Sequence, residues 1–171
     1  MQYSLSKIDI DTVEDALGII NQYVDSCTAA FREDHLGKEH YQYFLKSTEK
    51  YPSYVVLDEK GKVIGICRLK PFLEMSTFDE TAELMYFLNK EYTGKGIGSM
   101  LLAELEKEAY ARGIRRLIVS ISEENHGSQK FHEKHGFVQC GVFHDVGKKF
   151  GRYFSIVWME KEIKTPEVGE A

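Results

Sequence analysis

Apolar residues recur along the chain at two spacings, every second residue and every third or fourth residue, so the pattern predicts both strands and helices. Alternation predicts an opening strand over Tyr3 to Ile8. Helical spacing predicts a first helix from Val13 to Val24, with Asp11 or Thr12 as its cap. A second helix is predicted over Lys38 to Lys50, where a following proline ends it.

Further along, two β-branched runs, Tyr54 to Leu57 and Val63 to Leu69, flank a turn-forming segment and predict an antiparallel hairpin. The remaining elements predicted are a strand over Thr81 to Leu88, a helix over Met100 to Ala111, a strand over Leu117 to Ile121, a helix over Asn125 to His135, and strands over Phe137 to Phe143 and Tyr153 to Met159. A right-handed crossover would make the strands at Thr81 and Leu117 parallel neighbours. The pattern therefore predicts one α/β or α+β domain with a mixed sheet.

Composition narrows the possible functions. The 171 residues include 22 basic and 27 acidic side chains, a net charge of −5, without a run of like charges, so no nucleic-acid partner is expected. No apolar stretch approaches the roughly 18 residues that span a bilayer, and the start lacks the features of a secretory signal. Three widely spaced cysteines favour reduced thiols. We therefore expect a cytoplasmic protein that does not bind membranes.

A glycine-containing loop, Gly94 to Ser99, separates a predicted strand from a helix. Its alternating glycines let successive backbone N–H groups face one concavity, and the helix start adds partial positive charge, so the loop suits a phosphate or pyrophosphate. Lys95 could add a cation at the rim. The spacing matches neither the P-loop nor the dinucleotide fingerprint, and a tight connection without a ligand is the alternative.

Several residues together resemble a known family. They are Gly96-Ile97-Gly98 opening one helix, Asn125 and Ser128 opening the next, and the run from Phe131 to Phe137. This set is similar to motifs A and B of the GCN5-related N-acetyltransferases (GNAT), and more narrowly to the phosphinothricin acetyltransferase branch. The resemblance implies a single GNAT domain over residues 1–163, with about seven strands and about four helices, followed by a polar tail over 164–171. Thr93 departs from the Gln or Arg usual in the family, which lowers the expected cofactor affinity.

The resemblance implies that acetyl-CoA is the cofactor. The residues that it implies for binding are the backbone of Tyr86, Phe87 and Leu88 for the pantetheine arm, the loop residues Gly94, Lys95, Gly96, Ile97, Gly98 and Ser99 for the pyrophosphate, and Asn125 and Ser128 near the thioester. The pantetheine arm would insert where the strands at Thr81 and Leu117 separate. Asn125 could instead, or also, be only the N-cap of its helix.

Two residues are candidates for proton transfer. Acyl transfer needs a neutral amine, and Glu83, which matches the glutamate of the family, is the candidate base; a solvated strand-end carboxylate is the alternative. His132 stands where many relatives carry a tyrosine proposed to protonate the departing thiolate, and a packing role is its alternative. His132 and His135 are one residue too close for the zinc motif H-E-x-x-H, so no metal is predicted.

The acceptor side departs from the phosphinothricin branch. Candidate pocket residues are Phe31, Arg32, Phe72, Glu74, Phe78 and Tyr153, and the alternative for the aromatic ones is a place in the core. Glu74 stands where those relatives carry basic residues, so anionic acceptors are expected to bind poorly if Glu74 faces the pocket. If they do not, the anion site would have to come from Arg32, Arg68 or Arg152.

The reaction predicted is direct acetyl transfer to the primary amine of a small molecule, such as an amino acid or an amino-acid analogue. Two alternatives remain open: acetylation of a protein N-terminus or lysine, and a non-catalytic CoA-binding module. The resemblance also implies a homodimer, with Gly147 to Tyr153 contributing to the contact.

Overall fold

Residues 3–46 and 50–164, the part of the chain that the computed structural model describes, contain seven β-strands and four α-helices. The strands are β1 (Ser4–Lys7), β2 (Ser53–Leu57), β3 (Val63–Pro71), β4 (Thr81–Leu88), β5 (Arg116–Ser122), β6 (Val138–Lys149) and β7 (Arg152–Glu162). The helices are α1 (Val13–Ser26), α2 (Tyr41–Leu45), α3 (Ile97–Ala111) and α4 (His126–Lys134). The predicted fold class, one mixed sheet with helices in a single α/β domain, is confirmed.

The strands form one sheet in the order β1-β2-β3-β4-β5-β7-β6. Neighbours are antiparallel except β4 and β5, whose predicted parallel pairing is confirmed. That pairing runs only from Thr81, opposite Arg116, to Glu83, opposite Ile118. Beyond Glu83 the two strands separate, so the middle of the sheet opens at one end.

Helices cover both faces of the sheet. Apolar residues of α1 and α2, among them Leu17 and Phe44, pack with Ile66 on one face. Residues of α3, among them Leu101, pack with Leu117 on the other face. The two layers bury the sheet and position its open end between α1 and α2 on one side and α3 and α4 on the other.

Several predicted boundaries were wrong. The second helix begins as a short 3-10 turn at Lys38 and ends at Leu45 rather than Lys50, because only polar residues follow until Tyr51. Helix α3 begins at Ile97, three residues before the predicted start. Strands β6 and β7 extend to Lys149 and from Arg152, since ladder hydrogen bonds continue through a segment without apolar alternation.

Residues 165–171 of the predicted tail lie outside the described residues, as do 47–49 of the predicted second helix. Among the helices described, none combines the length and the apolar character needed to cross a bilayer.

Candidate active site

A cleft of about 1020 Å³ opens where β4 and β5 separate. One wall is formed by Glu83 to Leu88 of β4, and the opposite wall by Val119 to Ser122 of β5. Residues of the glycine-containing loop and of α4 line one end, and residues of α1, α2 and the segment between them line the other. The cleft therefore joins the predicted cofactor site to the predicted acceptor site.

The loop end of the cleft is built for an anion. Gly94 and Gly96 have positive φ angles of 73° and 81°, and a Cβ placed on either would meet no heavy atom within 4 Å. No side chain of the described residues caps α3, so its first N–H groups stay available. A Cβ on Gly98 would come within 3.3 Å of the Phe131 ring, which shows how closely α3 and α4 pack there. Open backbone donors at a helix start fit a pyrophosphate.

Two of the predicted loop residues point elsewhere. The ammonium of Lys95 lies 5.1 Å from the centre of the Tyr92 ring, outside the cleft. Ile97 is 2% exposed and belongs to the core. The cation that the sequence interpretation missed is Lys134 of α4, which lines the cleft.

Glu83 is held by two side chains at the end of the paired part of β4. Its Oε2 lies 2.9 Å from Nζ of Lys70, its cross-strand partner on β3, and its Oε1 accepts a hydrogen bond of 2.9 Å from the hydroxyl of Ser120 on β5. The side chain is 15% exposed. The two contacts hold the carboxylate in one position from both neighbouring strands. The sequence interpretation missed both partners. Lys70 lies opposite Glu83 only because of the register of β3 against β4.

Successive residues of β4 serve the two faces of the sheet. Met85 and Phe87 pack with the α1 and α2 layer, whereas Leu84 and Tyr86 pack with the α3 layer. Residues of both sets line the cleft, so the predicted acceptor end and the predicted cofactor end share this one strand.

His132 is buried on α4 and is bonded on both sides. Its Nδ1 lies 2.7 Å from the carbonyl oxygen of Ser128, which can only accept, so Nδ1 carries the proton. Its Nε2, 2.7 Å from the hydroxyl of Tyr86, then accepts from that hydroxyl. Burial lowers the pKa of His132 to about 4 and raises that of Tyr86. At neutral pH the proton in this pair therefore belongs to Tyr86, an arrangement that does not support His132 as the proton donor.

Asn125 and Ser128 both line the cleft at the start of α4. The Asn125 side-chain oxygen accepts a hydrogen bond of 3.1 Å from the Ser128 backbone N–H, which makes Asn125 the N-cap of the helix. Its amide nitrogen is not used by this bond. The capping role does not exclude contact with a ligand.

Only two of the predicted acceptor residues line the cleft in the structure. Phe31 and Arg32 line the cleft. The rings of Phe72 and Phe78 pack against each other, 6.1 Å between centres, outside the cleft. Glu74 and Tyr153 are exposed and also lie outside it.

Residues that the sequence interpretation missed also line the predicted acceptor end. Tyr43 and Phe44 of α2, with Met85 of β4 and Lys70 of β3, line it. Two signals could have found them: the apolar spacing of α2, which turns one side towards the sheet, and the alternation along β4.

The sequence and the fold are similar to those of known proteins. The model of the family described as "Acetyltransferase (GNAT) family" matches residues 19–137. An L-methionine sulfoximine/L-methionine sulfone acetyltransferase of Pseudomonas aeruginosa is 27% identical over 162 residues, 94% of each chain. A crystal structure of a GNAT superfamily phosphinothricin acetyltransferase from Sinorhizobium meliloti, in complex with AcCoA, has a TM-score of 0.89 and 28% identity, covering 99% of this chain and 95% of that one.

A third similar protein is named for a protein substrate rather than a small molecule. The crystal structure of a ribosomal-protein-alanine N-acetyltransferase from Brucella melitensis has a TM-score of 0.85 and 30% identity, covering 93% of this chain and 99% of that one. The family match spans well over half of the chain and includes the cleft walls, the glycine-containing loop and α4. The chain therefore belongs to the acetyltransferase (GNAT) family and is an N-acetyltransferase.

Proposed function

We propose that the chain transfers an acetyl group from acetyl-CoA directly to the primary amine of a small molecule, such as an amino acid or an amino-acid analogue. The observation that carries this proposal is the continuous cleft. The glycine-containing loop lies at one end of it, and the carboxylate of Glu83, paired with Lys70, lies between that loop and the acceptor end. Acetyl-CoA, the acetyl donor of the family, supplies a thioester that an amine can attack.

At the cofactor end, each part of acetyl-CoA is assigned to the protein groups that fit it. The loop from Gly94 to Ser99, with the first turn of α3, would hold the pyrophosphate. The edge of β4 that leaves β5 after Glu83 would pair with the pantetheine arm, and Asn125 and Ser128 would lie near the thioester. Lys134 adds a positive charge to the same end of the cleft.

Glu83 is the base in this proposal. Most primary amines are protonated at neutral pH and cannot attack a carbonyl carbon until the proton is removed. Glu83 accepts that proton, because Lys70 and Ser120 hold its carboxylate in a fixed position in the cleft.

In this proposal, the hydroxyl of Tyr86 turns its one hydrogen from Nε2 of His132 to the departing sulfur, and His132 positions the hydroxyl until then. The hydroxyl of Tyr86 carries the proton of the pair, and His132 is fixed by the Ser128 carbonyl. This replaces the direct proton transfer from His132 expected from the sequence.

The small-molecule acceptor is supported by the printed activities of relatives such as the Pseudomonas aeruginosa enzyme. The Brucella melitensis structure favours a second candidate, acetylation of a protein N-terminus. The third alternative, a CoA-binding module without turnover, would leave the contacts of Glu83 unused.

Thiol release from acetyl-CoA separates these candidates. The assay would compare amino acids, L-methionine sulfone, polyamines and alanine-starting peptides as acceptors. Turnover with free amino acids supports the proposal, preference for peptides supports the second candidate, and no thiol release with any amine, although acetyl-CoA binds, supports the third.

We also propose a homodimer in the cytoplasm. Strand β6 is an edge of the sheet, and its hairpin with β7 exposes Val146, Phe150 and Tyr153, between 52% and 63% exposed. An apolar sheet edge of this kind is normally covered. The cysteines Cys27, Cys67 and Cys140 are all free thiols, which suits a reducing compartment. Light scattering should give twice the chain mass of 19.7 kDa; a species of 19.7 kDa at micromolar concentration would contradict the dimer.

A further inference from the structure

Lys149, the last residue of β6, has a buried ammonium group that binds a segment far away in the chain. The residue is 1% exposed, and its Nζ donates hydrogen bonds to the carbonyl oxygens of Cys27, at 2.8 Å, and Ala30, at 2.7 Å. Buried lysines are normally paired with a carboxylate. Among the described residues, no carboxylate forms an ion pair with this ammonium. The charge of Lys149 therefore acts on the backbone of segment 27–32.

The turn that follows Lys149 completes the surroundings of the ammonium. Phe150 and Gly151 have positive φ angles of 52° and 76°, and these two residues join β6 to β7. A positive φ is rare for a bulky side chain and strains the backbone of Phe150. The centre of the Phe150 ring lies 4.9 Å from Nζ of Lys149, where a ring face attracts a cation. The strained turn therefore contributes to the site that holds the ammonium.

The same hairpin contacts segment 27–32 a second time. The ring of Phe31 lies 5.8 Å from the ring of Phe154 on β7, measured between their centres. Gly147 of β6 makes room for Phe154, because a Cβ on Gly147 would come within 2.3 Å of that ring. The β6–β7 hairpin thus holds the segment through one polar and one apolar contact.

A third contact comes from the end of β5. The hydroxyl of Thr28 donates to Oε2 of Glu124 at 2.8 Å and lies 2.6 Å from the hydroxyl of Ser122, which therefore donates to it. Glu124 also pairs with Arg152 at the start of β7. Segment 27–32 is therefore held from β5, β6 and β7 together.

Segment 27–32 forms part of the proposed acceptor end of the cleft. The residues of the segment that line the cleft are Ala29, Ala30, Phe31 and Arg32. The segment is neither helix nor strand, so its position depends on the contacts just described. The glycine-containing loop and α4 lie at the other end of the cleft. Loss of the Lys149 contacts should therefore change the acceptor end and leave the cofactor end unchanged.

We propose that Lys149 is a positioning residue for the acceptor, because it fixes segment 27–32 with Phe31 and Arg32 in the cleft. Lys149 does not line the cleft itself and acts through the segment. This inference rests on the proposed function and adds a residue to it. It makes the β6–β7 hairpin a support of the acceptor site, although none of the described residues of the hairpin lines the cleft.

Hydrogen exchange of the free protein tests the positioning without any substrate. In Lys149→Met, two backbone carbonyls lose a charged donor, so amides of residues 27–32 should exchange about 10-fold or more faster than in wild type. Amides of the glycine-containing loop should keep their wild-type rates.

Lys148→Met is the matched control. Lys148 precedes Lys149 on the same strand, but it is exposed, and its ammonium lies 5.6 Å from the centre of the Tyr153 ring. The variant should leave exchange in both segments at the wild-type rates. Because Lys148 belongs to the hairpin of the proposed dimer contact, this variant also controls for an effect on assembly.

Steady-state kinetics at saturating acetyl-CoA test the effect on the acceptor. The acceptor is L-methionine sulfone, or the best acceptor of the thiol-release assay if that is a different amine. Lys149→Met should raise the KM for the acceptor about 10-fold or more and change kcat less, with the Kd for acetyl-CoA unchanged. Lys149→Arg should restore part of the loss. Thr28→Val keeps the side-chain shape and removes an independent contact of the same segment, so it should also raise this KM.

A double-mutant cycle separates positioning from a general loss of stability. If Lys149 acts through Phe31, Lys149→Met should lower kcat/KM less in a Phe31→Ala background than in wild type. A loss of stability alone would act equally in both backgrounds.

Four results would each overturn the inference: a wild-type acceptor KM in folded Lys149→Met and Thr28→Val, unchanged exchange of residues 27–32 in Lys149→Met, an equal effect of Lys148→Met, or additive effects in the cycle. No thiol release by the wild type with any amine is a different result. It would overturn the proposed function, and the acceptor role of Lys149 with it, whatever the exchange rates.

Discussion

Lys70 and Glu83 face each other across the β3–β4 ladder, with 2.9 Å between the ammonium nitrogen and one carboxylate oxygen. Because the other carboxylate oxygen accepts from Ser120, the carboxylate is held from both neighbouring strands. The group that is proposed to take the proton from the acceptor is therefore fixed before the acceptor binds.

Glu83→Gln should lower kcat by about 10² to 10⁴, the usual contribution of a general base. The amide keeps the size of the side chain but cannot take the proton. The dissociation constant for acetyl-CoA, measured by calorimetry, should stay unchanged. Lys70→Met should have a smaller effect on kcat because it leaves the carboxylate in place. Unchanged turnover of Glu83→Gln near neutral pH would show that another group or water accepts the proton.

Gly96→Val should abolish the rise in melting temperature that acetyl-CoA produces in the wild-type protein. Gly96 has a φ of 81° at the start of α3, where a β-branched residue is strained and its side chain enters the space in front of the helix. Gly61→Val is the matched control, because Gly61 has a φ of 78° and lies in the β2–β3 turn, outside the cleft. Gly61→Val should lower stability and keep the acetyl-CoA shift. Equal loss in both variants would mean that strain alone explains the result.

Tyr86→Phe should lower kcat about 10- to 100-fold, with little change in acetyl-CoA affinity. The variant keeps the ring and removes the hydroxyl that carries the proton of the Tyr86–His132 pair. Steady-state kinetics beside calorimetric binding separate the two effects. A wild-type kcat would place the hydrogen-bond donor elsewhere.

The stability of the fold should decrease as the pH falls from about 6.5 towards 4, with His132 as one cause. Burial lowers the pKa of His132 from 6.5 to about 4, so in this window the unfolded chain binds a proton that the folded chain does not. The contribution is present in full above pH 6.5 and is lost by pH 4. At about 1.4 kcal/mol per pH unit it amounts to roughly 3 kcal/mol.

Urea unfolding of wild type and His132→Gln at several pH values measures this contribution. The variant should show a smaller loss of stability between pH 6.5 and 4. His126→Gln, which replaces an exposed histidine of the same helix, should follow the wild type. Parallel curves for all three proteins would contradict the assignment to His132.

The cofactor end could be predicted from the sequence because it depends on local features. The glycines between a strand and a helix mark a loop with special backbone angles, and Asn125 marks a helix start, whatever the rest of the chain does. Both lie in the cleft, as the motif resemblance implied. Their roles in binding stay predictions.

The acceptor end could not be predicted in the same way, because it depends on contacts between distant segments. The contact between Arg68 and Tyr43, for example, forms only when α2 covers β3. Likewise, the alternation of β3 does not show that Lys70 meets Glu83 without the register of β4. The orientation of Glu74 could not be predicted for a related reason: a position in a connector says little about which way a side chain points.

Because residues of β4 lie on two faces of the sheet, the proposed acceptor site can vary while the proposed site for the acetyl donor stays unchanged. Substitutions at Met85 or Phe87 alter the α1 and α2 side of the cleft, whereas Tyr86 between them stays on the other side. The same division makes the strand intolerant of length changes. A single residue inserted before Tyr86 would exchange the two sides at every later position of β4. An engineered variant or a related protein can therefore change side chains along this strand but not the number of residues in it.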